Sequence, residues 1–565
     1  MNLLGRGSCP EFWSKDVREK ECFRAYREFN LKQWESMCCT DEFTDLPYHE
    51  YKVYSITGER NSYQRPYYRR RVQLGVSAIL SLIYPEESKY LDYLMDKIFE
   101  VCDEYSWCIP AHQPDYTTVE KRGHIDLFAA ETGHTLSQIY HLLGQRLEPL
   151  IRDRIRTEID RRIIASMRSD TYGWEIKSTN NWSAVCMGSV ISTVILMRPE
   201  LFSEFMPRAK ATFDRYLSGF GDDGYCLEGV HYWHYGFGFF MAGAEIIRIF
   251  TEGKIDYFKL PKVKKIATFI QKMYLSGMAS VSFADSGREL AYHIGICHML
   301  HTKYPDAVKV YSPAMSYIDD GCGRFTWRLT AASWLDEELY FNPTGKEDIC
   351  EYYGESAGWL VKRTESFGFA AKAGNNGEHH NHNDVGSFIF ARDERQIFCD
   401  IGSAVYSKQY FNSATRYDFI QCSSLGHSVP YLGDGIAQRY GSQYRAKDVR
   451  YTEGMFSFDM AEAYGDERLR SLVREFKVSD GGVTVTDSFD IAEGVSLTER
   501  FALLREPRIS GLDVLVEGVT LEYDRQRVAE VSYITVELPR GNDKYAYLLD
   551  FKLKAGVTEF CITIK

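Results

Sequence analysis

The spacing of the apolar residues changes near residue 345, which divides the chain into two parts of different secondary structure. Up to about residue 340 they recur at helical intervals, as in Val72-Gln73-Leu74-Gly75-Val76-Ser77-Ala78-Ile79-Leu80-Ser81-Leu82-Ile83, a run that Pro85 stops. His124 to Gly133 opens another long helix that runs through Leu142-Leu143, and Phe239 to Ile247 belongs to a third. Many helices of similar length in series predict paired helices in a toroid or solenoid whose connecting loops carry chemistry. One last helical stretch, Thr326 to Leu339, lies between the Gly- and acid-rich Tyr317-Ile318-Asp319-Asp320-Gly321-Cys322-Gly323 and Phe341-Asn342-Pro343-Thr344-Gly345, which places a boundary near 345. Beyond it come short alternating runs with tight turns. Phe476 to Thr486 reads as a hairpin turned by Asp480-Gly481-Gly482, and Phe560 to Ile564 alternates as well. The fold class expected is α+β multidomain: a helical domain over 1–345 and an antiparallel β-sandwich over 346–565.

A length of 565 residues fits two to four domains at roughly 100–200 residues each. The net charge of −12 gives no electrostatic footprint for nucleic acid, so an anionic partner must meet local positive charge, for which Arg65-Pro66-Tyr67-Tyr68-Arg69-Arg70-Arg71 is the candidate. Aromatic residues reach 14%, with 39 Tyr and 9 Trp, enough to fill cores and still stack on sugar rings. The first ten residues lack the apolar run of a secretory signal, and no stretch approaches the roughly 18 apolar residues of a membrane span. Fourteen cysteines show neither a disulfide framework nor a Cys-x-x-Cys pair. The expectation is a cytoplasmic protein with reduced thiols and no membrane partner; homo-oligomerisation stays open.

Gly377-Glu378-His379-His380-Asn381-His382-Asn383-Asp384-Val385-Gly386-Ser387-Phe388 gathers three histidines, an aspartate and two asparagines. Two strands follow, Ser387 to Phe390 and Gln396 to Asp400, joined by the charged turn Ala391 to Arg395. A strand that began as early as His380 would project His380, His382 and Asp384 to one face and Asn381 and Asn383 to the other. His382, with Asp400 at the end of the partner strand and His427 in Ser423-Ser424-Leu425-Gly426-His427-Ser428, forms a two-imidazole, one-carboxylate set that suits zinc, manganese or iron.

Two further groups carry chemistry. Tyr172-Gly173-Trp174 through Ser178-Thr179-Asn180-Asn181-Trp182 sets two amides beside aromatic rings just before a helix, and amides bind a carboxylate without charge. Asp222-Asp223-Gly224-Tyr225-Cys226-Leu227-Glu228-Gly229-Val230-His231-Tyr232-Trp233-His234-Tyr235-Gly236 is a Gly-bounded loop rich in Tyr and His, both proton carriers.

Together with Trp107 to His112, Ile125 to Phe128, Asp400-Ile401-Gly402, Tyr406, Arg416 and His427-Ser428, these motifs resemble, in order and spacing and over nearly the whole chain, the heparinase II/III-like polysaccharide lyases. That resemblance implies an N-terminal (α/α) toroid followed by a sandwich. It implies that Asn181 neutralises a uronate carboxylate and that Tyr235 is the catalytic tyrosine, with Tyr232 as the alternative, and His380 the catalytic histidine. It also implies that His382, Asp400 and His427 hold a structural metal, zinc or manganese. Substrate contacts are expected from Asn180, Trp182, Tyr232, Glu228, Arg416, Tyr410, Arg70 and His112. The chain departs from some members of the family at Trp182, where they carry histidine.

The implied reaction is β-elimination on a uronic-acid glycan, glycosaminoglycan or alginate-like, leaving a 4,5-unsaturated uronate. The weakly acidic C5 proton leaves only if neutral donors such as Asn181 stabilise the enolate, and a tyrosine base needs nearby positive charge, from His380 or Arg416, to favour its phenolate. Two other readings compete. A glycoside hydrolase would need paired carboxylic acids, for which Asp222, Asp223 and Glu228 are available. A non-catalytic sugar-binding protein would use the aromatic loops alone.

Overall fold

The computed structural model describes residues 2–40, 44–114, 123–289, 291–311, 315–316, 321–345 and 349–565. Residues 317–320, used above to place the boundary, lie outside this set. The chain forms two compact units: a helical one of 1–219, 233–267 and 291–345, and a second of 220–232, 268–290 and 346–565. Two stretches before residue 345 therefore pack with the sandwich. Residues 274–276 and 279–280 form a small hairpin there, and Gly368, which has no side chain, lets the backbone of Leu275 approach closely.

The helical unit is an (α/α) toroid. Helices buried on every side alternate with amphipathic ones. In Asn61–Ile83 every residue from Arg70 onward is buried. In Ser88–Asp103, its outer partner, only Tyr90, Leu94, Lys97, Ile98, Val101 and Cys102 are, which is one face at helical spacing. Asn181–Met197 and Phe202–Ser218 repeat the contrast. The inner helices approach closely where side chains vanish: a Cβ on Gly188 would lie 2.5 Å from the Phe239 carbonyl oxygen, and one on Gly243 would lie 3.0 Å from the Gly188 Cα. Hydroxyls on these buried helices bond back one turn, as Ser77 does to Gln73, Ser137 to Gly133 and Ser192 to Gly188. The stretch expected as one helix over Thr326 to Leu339 is two, Phe325–Ser333 and Glu337–Phe341, because Asp336 turns to cap the second by accepting from the Leu339 amide at 3.0 Å.

The second unit is an antiparallel sandwich. One sheet runs Val528–Glu537, Tyr545–Leu553, Leu497–Leu503, Arg395–Phe398, Phe388–Arg392, Gly368–Lys372, Trp359–Arg363, Cys350–Gly354; the other runs Lys447–Thr452, Met455–Asp459, Leu469–Ser479, Gly482–Ile491, Glu559–Ile564, Leu521–Tyr523. Their inner faces meet through Phe369, Phe388 and Phe551 on one side and Phe476 and Phe560 on the other, with centroids 5.4–5.7 Å apart. Leu469–Ser479 alternates buried and exposed as expected, but Leu497–Leu503 is buried at every position. Its outer face, at Ala502, is covered by Cys399, Ile401 and Leu538, and the Ala502 amide donates to Ser428 Oγ at 3.1 Å. The chain that follows Arg395–Phe398 is thereby laid on the outer face, and it carries two of the three metal-ligand candidates, Asp400 and His427.

The histidine cluster is not a strand. Regular structure starts only at Phe388, and residues 379–387 are turn and irregular backbone in which His380 has φ +57°. The expected two-faced alternation of 380–384 gives way to a left-handed turn. Among the described residues no helix is long and apolar enough to cross a membrane.

Candidate active site

In the helical unit the candidates gather at the N-terminal ends of inner helices. Asn180 caps Asn181–Met197, its side-chain oxygen accepting from the Trp182 amide at 3.1 Å. Asn181, at the first helical position, is buried. Tyr235 lies in the π-helical turn Trp233–Phe237 ahead of the next inner helix. A Cβ on Gly236 would come within 3.0 Å of Asn181 Cα, so glycine there brings the two backbones together. The Tyr235 hydroxyl donates to Glu131. Arg324 pairs with Glu131 at 3.0 Å and places its guanidinium 3.9 Å from the centre of the Tyr235 ring. Burial pushes the Tyr235 phenol well up; the Arg324 charge opposes that and the Glu131 carboxylate reinforces it. Burial also raises Glu131, against the pull of Arg324. His380 or Arg416 was the cation expected for this phenol; within the helical unit Arg324 stands over its ring, and neither Arg324 nor Glu131 belongs to a motif in the sequence.

His112 joins the same unit. Its Nδ1 lies 2.8 Å from Asp126, which also caps its helix through the Ala129 amide, and its ring tilts against Trp182 at 4.8 Å. With Nδ1–H donating, Nε2 accepts from Arg60 at 3.3 Å, and burial lowers the imidazole's basicity. Arg70 does not supply exposed positive charge: it and Arg71 are buried on Glu104, at 2.9 and 2.5 Å.

In the sandwich unit one residue organises the site, and the sequence did not single it out. Asp285, buried in the 268–290 stretch, accepts from His380 Nδ1 at 2.9 Å, His382 Nε2 at 3.1 Å, Arg416 at 3.1 Å, Tyr406 at 3.3 Å and the Tyr410 hydroxyl. Burial alone would raise its pKa, but hydrogen bonds from His380 and His382 and the charge of Arg416 hold it well below the ordinary range. Ala284 before it has φ +63°, and His380 opposite has φ +57°. Such a conformation costs a non-glycine residue roughly 1–3 kcal/mol and persists where the surroundings impose it. His380 stacks on Tyr232 at 3.9 Å and 18°, and the Tyr232 and Tyr406 hydroxyls are 3.0 Å apart. Arg416 and Tyr410, expected on the substrate, are instead buried supports of Asp285; Arg416 also donates to the Asn381 carbonyl. Of the carboxyls a hydrolase would need, Glu228 is buried, and Asp223 accepts from the Ser356 hydroxyl at 2.6 Å and amide at 2.9 Å.

His382, Asp400 and His427 converge as a buried group that could hold a metal ion, with one ligand atom from each lying within 4.8 Å of the others. Three atoms turned inward have no hydrogen-bond partner: His382 Nδ1, His427 Nδ1 and Asp400 Oδ2. The outer ring nitrogens are engaged, His382 Nε2 on Asp285 and His427 Nε2 on the Gln421 carbonyl at 3.0 Å, which fixes the tautomers that leave both Nδ1 lone pairs facing inward. Orphaned buried acceptors of this kind cost stability unless a cation meets them, so the residues fit a metal.

No family model matches the chain, and no curated protein does. Solved structures do. Heparinase III is similar with a TM-score of 0.63 at 14% identity, over 89% of this chain and 77% of that one. A heparan sulfate lyase mutant from Pedobacter heparinus gives 0.60 at 12% over 95% and 87%, and a chondroitin AC lyase mutant from Streptomyces coelicolor A3 gives 0.53 at 11% over 100% and 82%. All combine the toroid and the sandwich.

Proposed function

We propose that this protein is a polysaccharide lyase that cleaves uronic-acid-containing glycans by β-elimination. The observation that carries the reading is the Tyr235–Glu131–Arg324 group beside Asn181: a phenol with a carboxylate to exchange its proton with, a cation to compensate, and a neutral amide adjacent. Asn181 donates to the uronate carboxylate as enolate charge develops. The C5–H bond breaks, its electron pair becomes the C4=C5 double bond, the C4–O4 bond breaks, and O4 leaves with a proton. Tyr235 carries protons in this sequence, with Glu131 as the acceptor that lets the phenol act as a base. In the sandwich unit, His380 donates Nδ1–H to Asp285 and so presents Nε2 as an acceptor, the tautomer a second proton carrier needs.

His382, Asp400 and His427 would hold a divalent cation, zinc by donor type. Such an ion would cross-link the His380–His382 loop to the segments carrying Asp400 and His427, a structural part rather than chemistry on the substrate. All fourteen cysteines are free, which suits a reducing, cytoplasmic compartment. Glycosaminoglycan and alginate-like oligomers are the substrate classes proposed; heparinase III, the heparan sulfate lyase and the chondroitin lyase among the structural neighbours support the first of them. A panel of heparin, heparan, hyaluronan, chondroitin and alginate fragments, followed by the ultraviolet absorbance of the conjugated uronate, tests this. Cleavage without that chromophore would establish hydrolysis and sink the reading.

A further inference from the structure

The strands Val528–Glu537 and Tyr545–Leu553 are joined by a loop closed by the Leu538 amide on the Lys544 carbonyl at 2.8 Å. Its tip is braced by the segment that carries Asp285. Arg288 donates to the Arg540 carbonyl at 3.4 Å and to Asp543 at 3.5 Å, and Asn542 donates to Glu289 at 3.2 Å. Gly541 has φ +90°, and a Cβ there would lie 2.6 Å from the Arg288 guanidinium, so the tip is built around that contact. The bracing uses the backbone of Arg540 and leaves its side chain for something else. That guanidinium is exposed, lies 4.0 Å from the centre of the Tyr406 ring, and has no carboxylate partner among the described residues. Tyr406 bonds to Tyr232 and to Asp285, the two residues that stack on and orient His380. Phe411, 44% exposed, meets the Tyr406 ring edge-on, with centroids 4.8 Å apart.

We propose that Arg540 is an anion-binding residue for the substrate, gripping a carboxylate or sulfate of a sugar unit while Phe411 offers that unit an apolar face. This rests on the lyase reading and adds a subsite to it. The exposed Arg540 guanidinium lies over the Tyr406 ring at 4.0 Å, and a guanidinium held over a ring in this way can still offer N–H donors to a planar anion through two parallel hydrogen bonds. Arg288 cannot serve, since its donors are engaged on the Ile401 and Arg540 carbonyls and on Asp543. Arg416 cannot either, buried on Asp285.

The test compares wild type with Arg540→Ala and Arg540→Lys on size-matched unsulfated and sulfated uronate oligosaccharides. Arg540→Ala is expected to raise KM about tenfold or more with kcat within about threefold, and to flatten the salt dependence of kcat/KM, with Arg540→Lys restoring part of the loss. An effect equal on both substrates assigns the carboxylate; one confined to the sulfated series assigns the sulfate. Unchanged KM and salt dependence in Arg540→Ala would overturn the proposal, as would a clear drop in its melting temperature, which would make the guanidinium a brace. If wild type yields no unsaturated product, the lyase reading fails separately. Calorimetric binding of a saturated uronate oligosaccharide to wild type and Arg540→Ala then decides the anion site by itself: tenfold weaker binding supports it, equal binding overturns it.

Discussion

At the scale of single residues, the proposed function rests on two hydrogen-bonded carboxylates that differ in task. Glu131 faces a phenol and an arginine, so its proton can move; Asp285 is fixed as an anion by donors around it. Tyr235→Phe keeps the ring that Arg324 covers and removes the only proton-bearing atom. Turnover should fall by about 10²–10⁴-fold while the melting temperature and substrate binding hold. A folded Tyr235→Phe protein with near-normal elimination would move the role to Tyr232 or His380. Asp285→Asn should act differently, because it removes the charge and one of the two acceptor oxygens that set the His380 tautomer and steady His382. We expect kcat to drop about 10²-fold or more, the pH–rate profile to shift, and metal affinity to weaken by about 10–100-fold. Unchanged metal content and an unchanged profile would reduce Asp285 to packing. His382, Asp400 and His427 could be read as ligands because donor types are visible in a sequence. Arg416 and Tyr410 were expected to touch substrate because a sequence does not show that a buried aspartate already holds them.

At the scale of elements, helices and hairpins followed their local signals. The turn Asp393-Glu394 has φ of +50° and +65°, a two-residue reversal between Phe388–Arg392 and Arg395–Phe398, and Asp126 caps Leu127–Leu143 where a helix was expected. One cap is unusual. His293 caps Ile294–Lys303 by accepting from the Ile296 amide at 3.2 Å through Nδ1, while Nε2 meets the Trp327 carbonyl at 2.8 Å. Burial lowers its pKa to about 4 from an ordinary 6.5. The unfolded chain therefore takes up this proton first as pH falls. The stability that neutral His293 contributes is whole above pH 6.5 and is lost toward pH 4, by about 1.4 kcal/mol per unit and about 3 kcal/mol in all. His134 and His298 are lowered in the same sense, to about 3 and about 4. His293→Asn keeps a capping side chain without a titrating ring. Denaturant unfolding between pH 7 and 4.5 should show a shallower decline in this variant, and parallel declines would exclude the histidine as a source.

At the scale of the whole molecule, the metal group is where folding and function meet. Because a cation would bind the folded sandwich and not the unfolded chain, a chelator should lower the melting temperature, and activity should fall with it. Excess zinc added to fully loaded protein should leave kcat unchanged, and a rise would give the ion a part in the chemistry. Purified protein without stoichiometric metal would remove the centre. Much of the architecture was legible beforehand: the switch of apolar period near 345, the paired helices and the sandwich it implies, and the donor set of the histidine cluster are properties of neighbouring residues, which fix backbone preference and amphipathic face, while the toroid came from the resemblance. What only the tertiary structure decided is which charges remain for a substrate. Arg70 and Arg71 are consumed by Glu104, Arg416 by Asp285, and Asp285 itself reaches His380 across 95 residues of chain. A buried charge must find a partner wherever folding brings one, and that pairing depends on contacts between distant segments, which no local pattern encodes.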